Sequence, residues 1–114
     1  MAEQLRLYQL DPTRIDEFIA LWREQIVPAR QAAGFAVRGA WVSREDAGFA
    51  WVVAYTGKGS FEQADRRYYN SKARKAIRPS PTDFLLDVET VMVEPVLYEQ
   101  GAISPPARSR SRNR

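Results

Sequence analysis

The chain is expected to adopt an α+β fold, a four-stranded antiparallel sheet built in βαββαβ order with two helices on one face. Three observations lead there. Segments of alternating or near-continuous apolar residues bracket two stretches whose apolar residues recur every three or four positions. Both of these helix-like stretches open on capping signals, and short turn-rich joints separate the elements. All of this fits within about a hundred of the 114 residues, the size of one domain. A sheet with both helices on one side leaves its other face bare. A second copy of the same sheet is the expected cover, so self-association through the sheet face is anticipated.

The elements follow in order. Gln4–Leu10 places Leu5 and Leu7 on one side and Arg6, Tyr8 and Leu10 on the other, a strand with both faces covered. Asp11-Pro12-Thr13 ends it, with Thr13 a helix N-cap and Asp16 in the capping-box position. Ile15, Phe18, Ile19, Trp22 and Ile26 then form one apolar stripe, with acids in the first turn that suit the helix dipole. Pro28 is expected to bend or shorten this helix and Gly34 to end it. Ala36–Ser43 is the second strand, with Val37, Gly39 and Trp41 opposite Arg38, Ala40 and Val42. A polar turn, 44–48, leads to a third strand over Phe49–Thr56. It carries Phe49, Trp51, Val53 and Tyr55 on a bulky face and Ala50, Val52 and Ala54 on a small one.

Gly57-Lys58-Gly59 is a connector, and Ser60 with Gln63 forms a capping box for the second helix. Phe61, Ala64 and Tyr68 make its apolar stripe, with Asp65 and Tyr69 beside it and Glu62 spaced to pair with Arg66. Ser71 caps a short stretch over Lys72–Ile77, and the Arg78–Pro81 segment is irregular. The last strand spans Phe84 to about Leu97, with Pro95 marking an edge or an end. The expected division is a domain over 1–100 and a disordered basic tail over 101–114.

Composition removes several chemistries. The chain has no Cys and no His, which excludes disulfides, thiolate nucleophiles, Cys-type zinc sites, His-dependent triads and His-ligated haem. No clustered acidic motif suggests a hard-cation site, so no metal and no cofactor are expected. Seventeen Lys and Arg face fourteen Asp and Glu, but four of the arginines (Arg108, Arg110, Arg112 and Arg114) sit in the tail, and 1–100 is close to neutral. No run of eighteen apolar residues and no leader pattern occurs, so a cytoplasmic protein that does not enter the membrane is expected. Nucleic-acid contact is expected, if at all, only through the tail, which has charge but no interleaved aromatic rings.

Leu5-Arg6-x-Tyr8-x-Leu10 with Pro12, Asp16-Glu17-Phe18 and Trp22 resembles the opening of NIPSNAP-family domains. Trp51–Tyr55, Ser60-Phe61-Glu62 and Arg67-x-Tyr69 resemble the second half of the same domain. The resemblance covers roughly 4–97. It implies the ferredoxin-like, dimeric α+β barrel superfamily, in which two protomers pack sheet against sheet and each holds a pocket between its helices and its sheet. That superfamily also contains haem-degrading monooxygenases, cofactor-free quinol-forming monooxygenases and polyketide cyclases. The helix histidine that the haem-degrading branch uses to bind iron has no counterpart here, which argues against haem chemistry.

Several side chains are candidates for function, each with a structural alternative. The aromatic set Tyr8, Trp22, Trp41, Trp51, Tyr55, Tyr68 and Tyr69 either fills the core and a dimer seam or lines a pocket for a flat apolar ligand. Tyr55 is expected at the mouth of such a cleft and Tyr69 at its rim. Arg6 and Arg38, within strands, either pair with Glu89 or Glu94 of the last strand or clamp an anion or carbonyl group. Asp65 is either a solvated helix residue or, in an apolar cleft, a general base, with Tyr55 as the second candidate proton carrier. The leading expectation is a homodimeric protein that binds a small apolar or aromatic metabolite through Arg6, Tyr8, Trp22, Trp51, Tyr55 and Tyr69. The alternatives are a cofactor-free monooxygenase or cyclase acting on an aromatic substrate, and a non-catalytic adaptor whose tail recruits a partner.

Overall fold

The structure is a computed structural model, and it describes residues 2–97; the basic tail expected over 101–114 lies outside the described residues. Strand β1 (Ala2–Leu10) leads into a helical arm made of α1 (Ile15–Leu21), a π turn (Trp22–Ile26) and α2 (Val27–Ala32). Strands β2 (Phe35–Ser43) and β3 (Gly48–Tyr55) form a hairpin. Helix α3 (Phe61–Tyr69), a single turn α4 (Lys72–Lys75) and a 3-10 turn (Pro81–Phe84) lead to β4 (Leu85–Val93). The four strands are antiparallel in the order β2-β3-β1-β4, so β2 and β4 are the edges and Pro95 falls beyond the end of β4. No helix among the described residues is long and apolar enough to cross a membrane.

The core is an aromatic layer between the sheet and the helices. Tyr8 and Leu10 of β1 and Phe49, Trp51, Val53 and Tyr55 of β3 are buried against Phe18 of α1 and Phe61 and Tyr68 of α3. Its rings meet mostly edge to face: Phe18 with Phe49 at 5.2 Å between centroids, Trp22 with Trp51 at 5.5 Å and Phe35 with Phe61 at 5.4 Å. That geometry sets the positive ring edge on the negative ring face and adds about 0.5–1.5 kcal/mol per pair beyond burial.

The local rules hold in several places. Ser60 Oγ accepts from the Gln63 amide at 3.1 Å while Gln63 Oε1 accepts from the Ser60 amide, completing the capping box of α3. Ser71 Oγ accepts from the Arg74 amide and caps α4. Gly34, at φ +94°, takes the left-handed conformation that ends α2, with its amide bonded back to the Gln31 carbonyl. Pro28 has no N–H to give the preceding turn, and the π turn lies directly upstream of it, so the helical arm continues past Pro28 through a widened turn.

Four expectations are corrected. Helix α1 starts at Ile15 without a side-chain cap, because the Asp11 carboxylate takes the Thr13 hydroxyl and amide at 2.7 and 2.9 Å. Those two hydrogen bonds, the hydroxyl first, hold the Asp11 carboxyl below its usual pKa. The alternation expected in β2 breaks at a bulge: Val37 pairs with Val53 and Gly39 with Val52, which leaves Arg38 as the extra residue. Beyond the bulge the faces exchange, so Ala40 joins Val37 on the helix side and Trp41 turns to the bare face. At Gly39 a Cβ would lie 2.8 Å from the end of the exposed Trp41 indole, so a side chain there would displace that ring. Phe84 belongs to the 3-10 turn, and β4 ends at Val93, short of Leu97. Glu62 and Arg66 do not form an ion pair among the described residues.

On the bare face Leu7, Trp41 and Val91 are 36%, 61% and 47% exposed, an apolar strip across β1, β2 and β4. Glu3 is buried on that face and pairs with Arg38 at 3.8 Å. Glu89 stands opposite Leu7, on the same face, and not toward Arg6. Strand β4 neighbours β1 as expected, but Glu89 does not serve Arg6, and β4 lies at the opposite edge from β2, where Arg38 pairs with Glu3.

Candidate functional site

Strand alternation turns Arg6 and Tyr8 toward the helices, and the pairing of Arg6 with Trp51 brings a charged and an aromatic side chain to the same level of the sheet. Above them lies a cleft of about 140 Å³ between the sheet and the helices. Trp51, Tyr8 and Phe18 form apolar walls, and Arg6, Arg30 and Arg74 supply charge. The mouth lies toward β4, where Val88 is 45% exposed and Tyr69 38% exposed.

Arg6 is only 6% exposed and forms no salt bridge among the described residues. It donates to Tyr8 Oη at 2.8 Å, Gln4 Oε1 at 2.6 Å and Tyr69 Oη at 2.7 Å, all neutral oxygens. Its guanidinium also lies within 6.0 Å of the Tyr8, Trp51 and Tyr69 rings. Burial works against the Arg6 charge, but the Tyr8 and Tyr69 hydroxyls and Asp65 together outweigh it, and its pKa stands above the usual value.

Arg30 of α2 is the second cation and is 1% exposed. It donates to Asp65 Oδ1 at 2.7 Å and to Tyr69 Oη at 3.4 Å, with the Tyr68 ring 4.0 Å from its Cζ. The Tyr69 oxygen thus accepts from two guanidinium groups, which occupies its lone pairs and leaves its own hydrogen to donate. Three further polar groups on lining side chains are buried without a hydrogen-bond partner: Arg30 Nε, Trp51 Nε1 and Tyr68 Oη. Burial also pushes the Tyr68 phenol up, which keeps it protonated and able to donate.

The structure gathers Arg6, Tyr8, Trp51, Tyr68 and Tyr69 around this cleft and sets Trp22, Tyr55 and Asp65 apart from it. Trp22 packs behind Trp51 and does not line the cleft. Tyr55 is buried at the β3–α3 connector, where its hydroxyl donates to the Lys58 carbonyl at 3.0 Å and accepts from Arg67 at 3.2 Å. Gly57 leaves room for it, since a Cβ there would collide with the Tyr55 hydroxyl. Asp65 is bound to Arg30 from behind the lining and does not face the cleft with a free carboxylate.

Arg30 and Arg74 were not among the candidates that the sequence offered, whereas Tyr68 was, within the aromatic set. Arg30 had a signal: it lies four residues after Ile26, on the apolar stripe of the first helical arm, where a charged residue demands a buried partner. Arg74 had none, because its arrival at the cleft depends on the break at Asn70-Ser71 that turns α4 back over the sheet.

No family model matches the chain, and no curated protein matches it. Among solved structures, an uncharacterized NIPSNAP domain protein from Burkholderia xenovorans superposes with a TM-score of 0.71 at 18% identity, over 93% of this chain and 100% of that one. A NIPSNAP family protein from Agrobacterium tumefaciens gives 0.71 at 14% identity, over 82% and 91%. A protein from Bacteroides thetaiotaomicron described as a candidate antibiotic biosynthesis monooxygenase gives 0.65 at 19% identity, over 84% and 90%. The chain therefore has the ferredoxin-like α+β fold of NIPSNAP proteins, as the sequence resemblance implied.

Proposed function

We propose that this chain is a NIPSNAP-type binding protein that holds a small, flat, largely apolar metabolite in the cleft between its helices and its sheet, and that it works as a homodimer joined through the bare sheet face. The observation that carries the reading is the pairing of the aromatic walls Tyr8, Phe18 and Trp51 with the guanidinium groups of Arg6 and Arg74 in one cleft lining. The rings offer apolar contact, and the guanidinium N–H groups offer donors that orient a ligand oxygen. The homodimer rests on the apolar strip of Leu7, Trp41 and Val91, which is costly to leave in water. Native mass spectrometry of the purified protein tests both parts at once: a dimer carrying a retained small molecule is expected, and a monomer with no retained mass and no saturable binding contradicts the reading.

A second reading is cofactor-free oxidation of a bound aromatic substrate. It is favoured by the fold shared with a protein described as a candidate monooxygenase and by the tyrosines Tyr8, Tyr68 and Tyr69 in the cleft lining. Here the chain orients and desolvates the substrate while a tyrosine hydroxyl of the lining moves a proton. Oxygen consumption with a hydroxylated aromatic compound separates the two readings, since a pure binding protein consumes none when its cleft is saturated.

A further inference from the structure

We infer that the ligand of this cleft is an anion, a planar carboxylate built on a single aromatic ring; this rests on the binding reading above and narrows it. Charge is the first ground. Arg6, Arg30 and Arg74 line the cleft, and no acidic residue does. Asp65 neutralises one of the three from behind, and Arg6 spends its hydrogen bonds on neutral oxygens. The lining therefore keeps a net positive charge, which a bound carboxylate complements.

Hydrogen-bond polarity is the second ground. Arginine nitrogens only donate, so the Arg6 and Arg74 guanidinium groups in the lining call for acceptors, which a ligand can bring. The Tyr69 hydrogen is free to donate as well, because its oxygen already serves Arg6 and Arg30. A carboxylate offers two oxygens, acceptors only, in the geometry a guanidinium fork fits.

Size and approach complete the case. The cleft measures about 140 Å³, close to the roughly 150 Å³ cavity that takes up one benzene molecule. Tyr8, Phe18 and Trp51 give that ring an aromatic wall, whereas inorganic phosphate leaves the wall unfilled. Besides the cleft-lining Arg74, 66–78 carries Arg66, Arg67, Lys72, Lys75 and Arg78 and no acid, a positive field that draws anions.

The test titrates the purified full chain with benzoate and with benzamide, its neutral near-isostere, following tryptophan fluorescence and calorimetric heat. Benzoate is expected to bind at least about tenfold more tightly, the discrimination of one charge-assisted contact. Arg74→Met, at a half-buried residue whose loss spares the core, is expected to bring the two compounds within about threefold while the melting temperature holds. Equal binding of the two compounds by the unmutated chain overturns the anion inference and leaves the cleft reading standing. Binding of neither at tens of millimolar overturns both.

Discussion

Replacing Asp65 with Asn leaves an oxygen within reach of Arg30 and removes the charge that faces it. Arg30 Nη1 and Asp65 Oδ1 are 2.7 Å apart, with the Arg30 side chain 1% exposed and that of Asp65 24%. Two unit charges about 4 Å apart interact by about 4 kcal/mol at an effective dielectric of 20, the value suited to partly buried pairs. Solvent reaches a quarter of the Asp65 side chain, and Asn retains the hydrogen bond, so about half of that, roughly 2 kcal/mol, is expected to be lost. For a domain of this size each kcal/mol moves the melting temperature by about 4–8 °C, which predicts a fall of roughly 8–16 °C.

The assay is calorimetric or circular-dichroism melting at one fixed protein concentration, because self-association raises apparent stability. Arg30→Met and the double variant complete a cycle, in which a coupling energy of about 2 kcal/mol is expected. A melting temperature for Asp65→Asn within about 2 °C of the unmutated chain, with a coupling energy near zero, refutes the reasoning, since it means that the pair is solvated and Arg30 needs no counter-charge.

Tyr68→Phe is expected to be neutral or to stabilise the chain by up to about 1 kcal/mol in denaturant unfolding, because it removes a buried hydroxyl with no partner; clear destabilisation means that the hydroxyl is satisfied. The same residue sets an alkaline limit. Its pKa is raised by burial from its usual value of 10.0, so the folded chain holds this proton longer than the unfolded one. That contribution is complete below the unfolded value and is lost as pH rises through the folded one, and Tyr68→Phe should flatten the alkaline fall in stability. Ser60→Ala removes one half of the α3 capping box and should cost about 1 kcal/mol in the same unfolding assay, with a change under about 0.3 kcal/mol contradicting the capping geometry. Trp41→Gln, on the bare sheet face at 61% exposure, should weaken self-association in sedimentation at micromolar concentration while leaving far-ultraviolet dichroism unchanged; an unaltered association constant excludes Trp41 from the interface.

The elements themselves were legible in order. Apolar period, the Ser60–Gln63 box, Gly34 and the large-small alternation of Phe49–Tyr55 are local signals, and each appears in the fold where its physics puts it. Local signals misled where two compete within a few residues. Thr13 has the chemistry of a cap, but Asp11, two residues back, claims its hydroxyl first. An extra residue in β2 is invisible to a period of two, and it moved Trp41 from one face of the sheet to the other.

Sequence by itself determined the α+β order, the layer of aromatic side chains and the absence of thiol and imidazole chemistry, because each of these depends on neighbours along the chain or on composition alone. Only the tertiary structure decided that Arg6, Arg30 and Arg74, drawn from a strand, a helix and a single turn, meet in one cleft, and that Tyr55 and Trp22 stand outside it. The reason is reach: a hydrogen bond or an ion pair acts over about 3–4 Å in space. Arg6 and Tyr69 come within 2.7 Å although 63 positions separate them, a distance that no periodicity in the chain encodes.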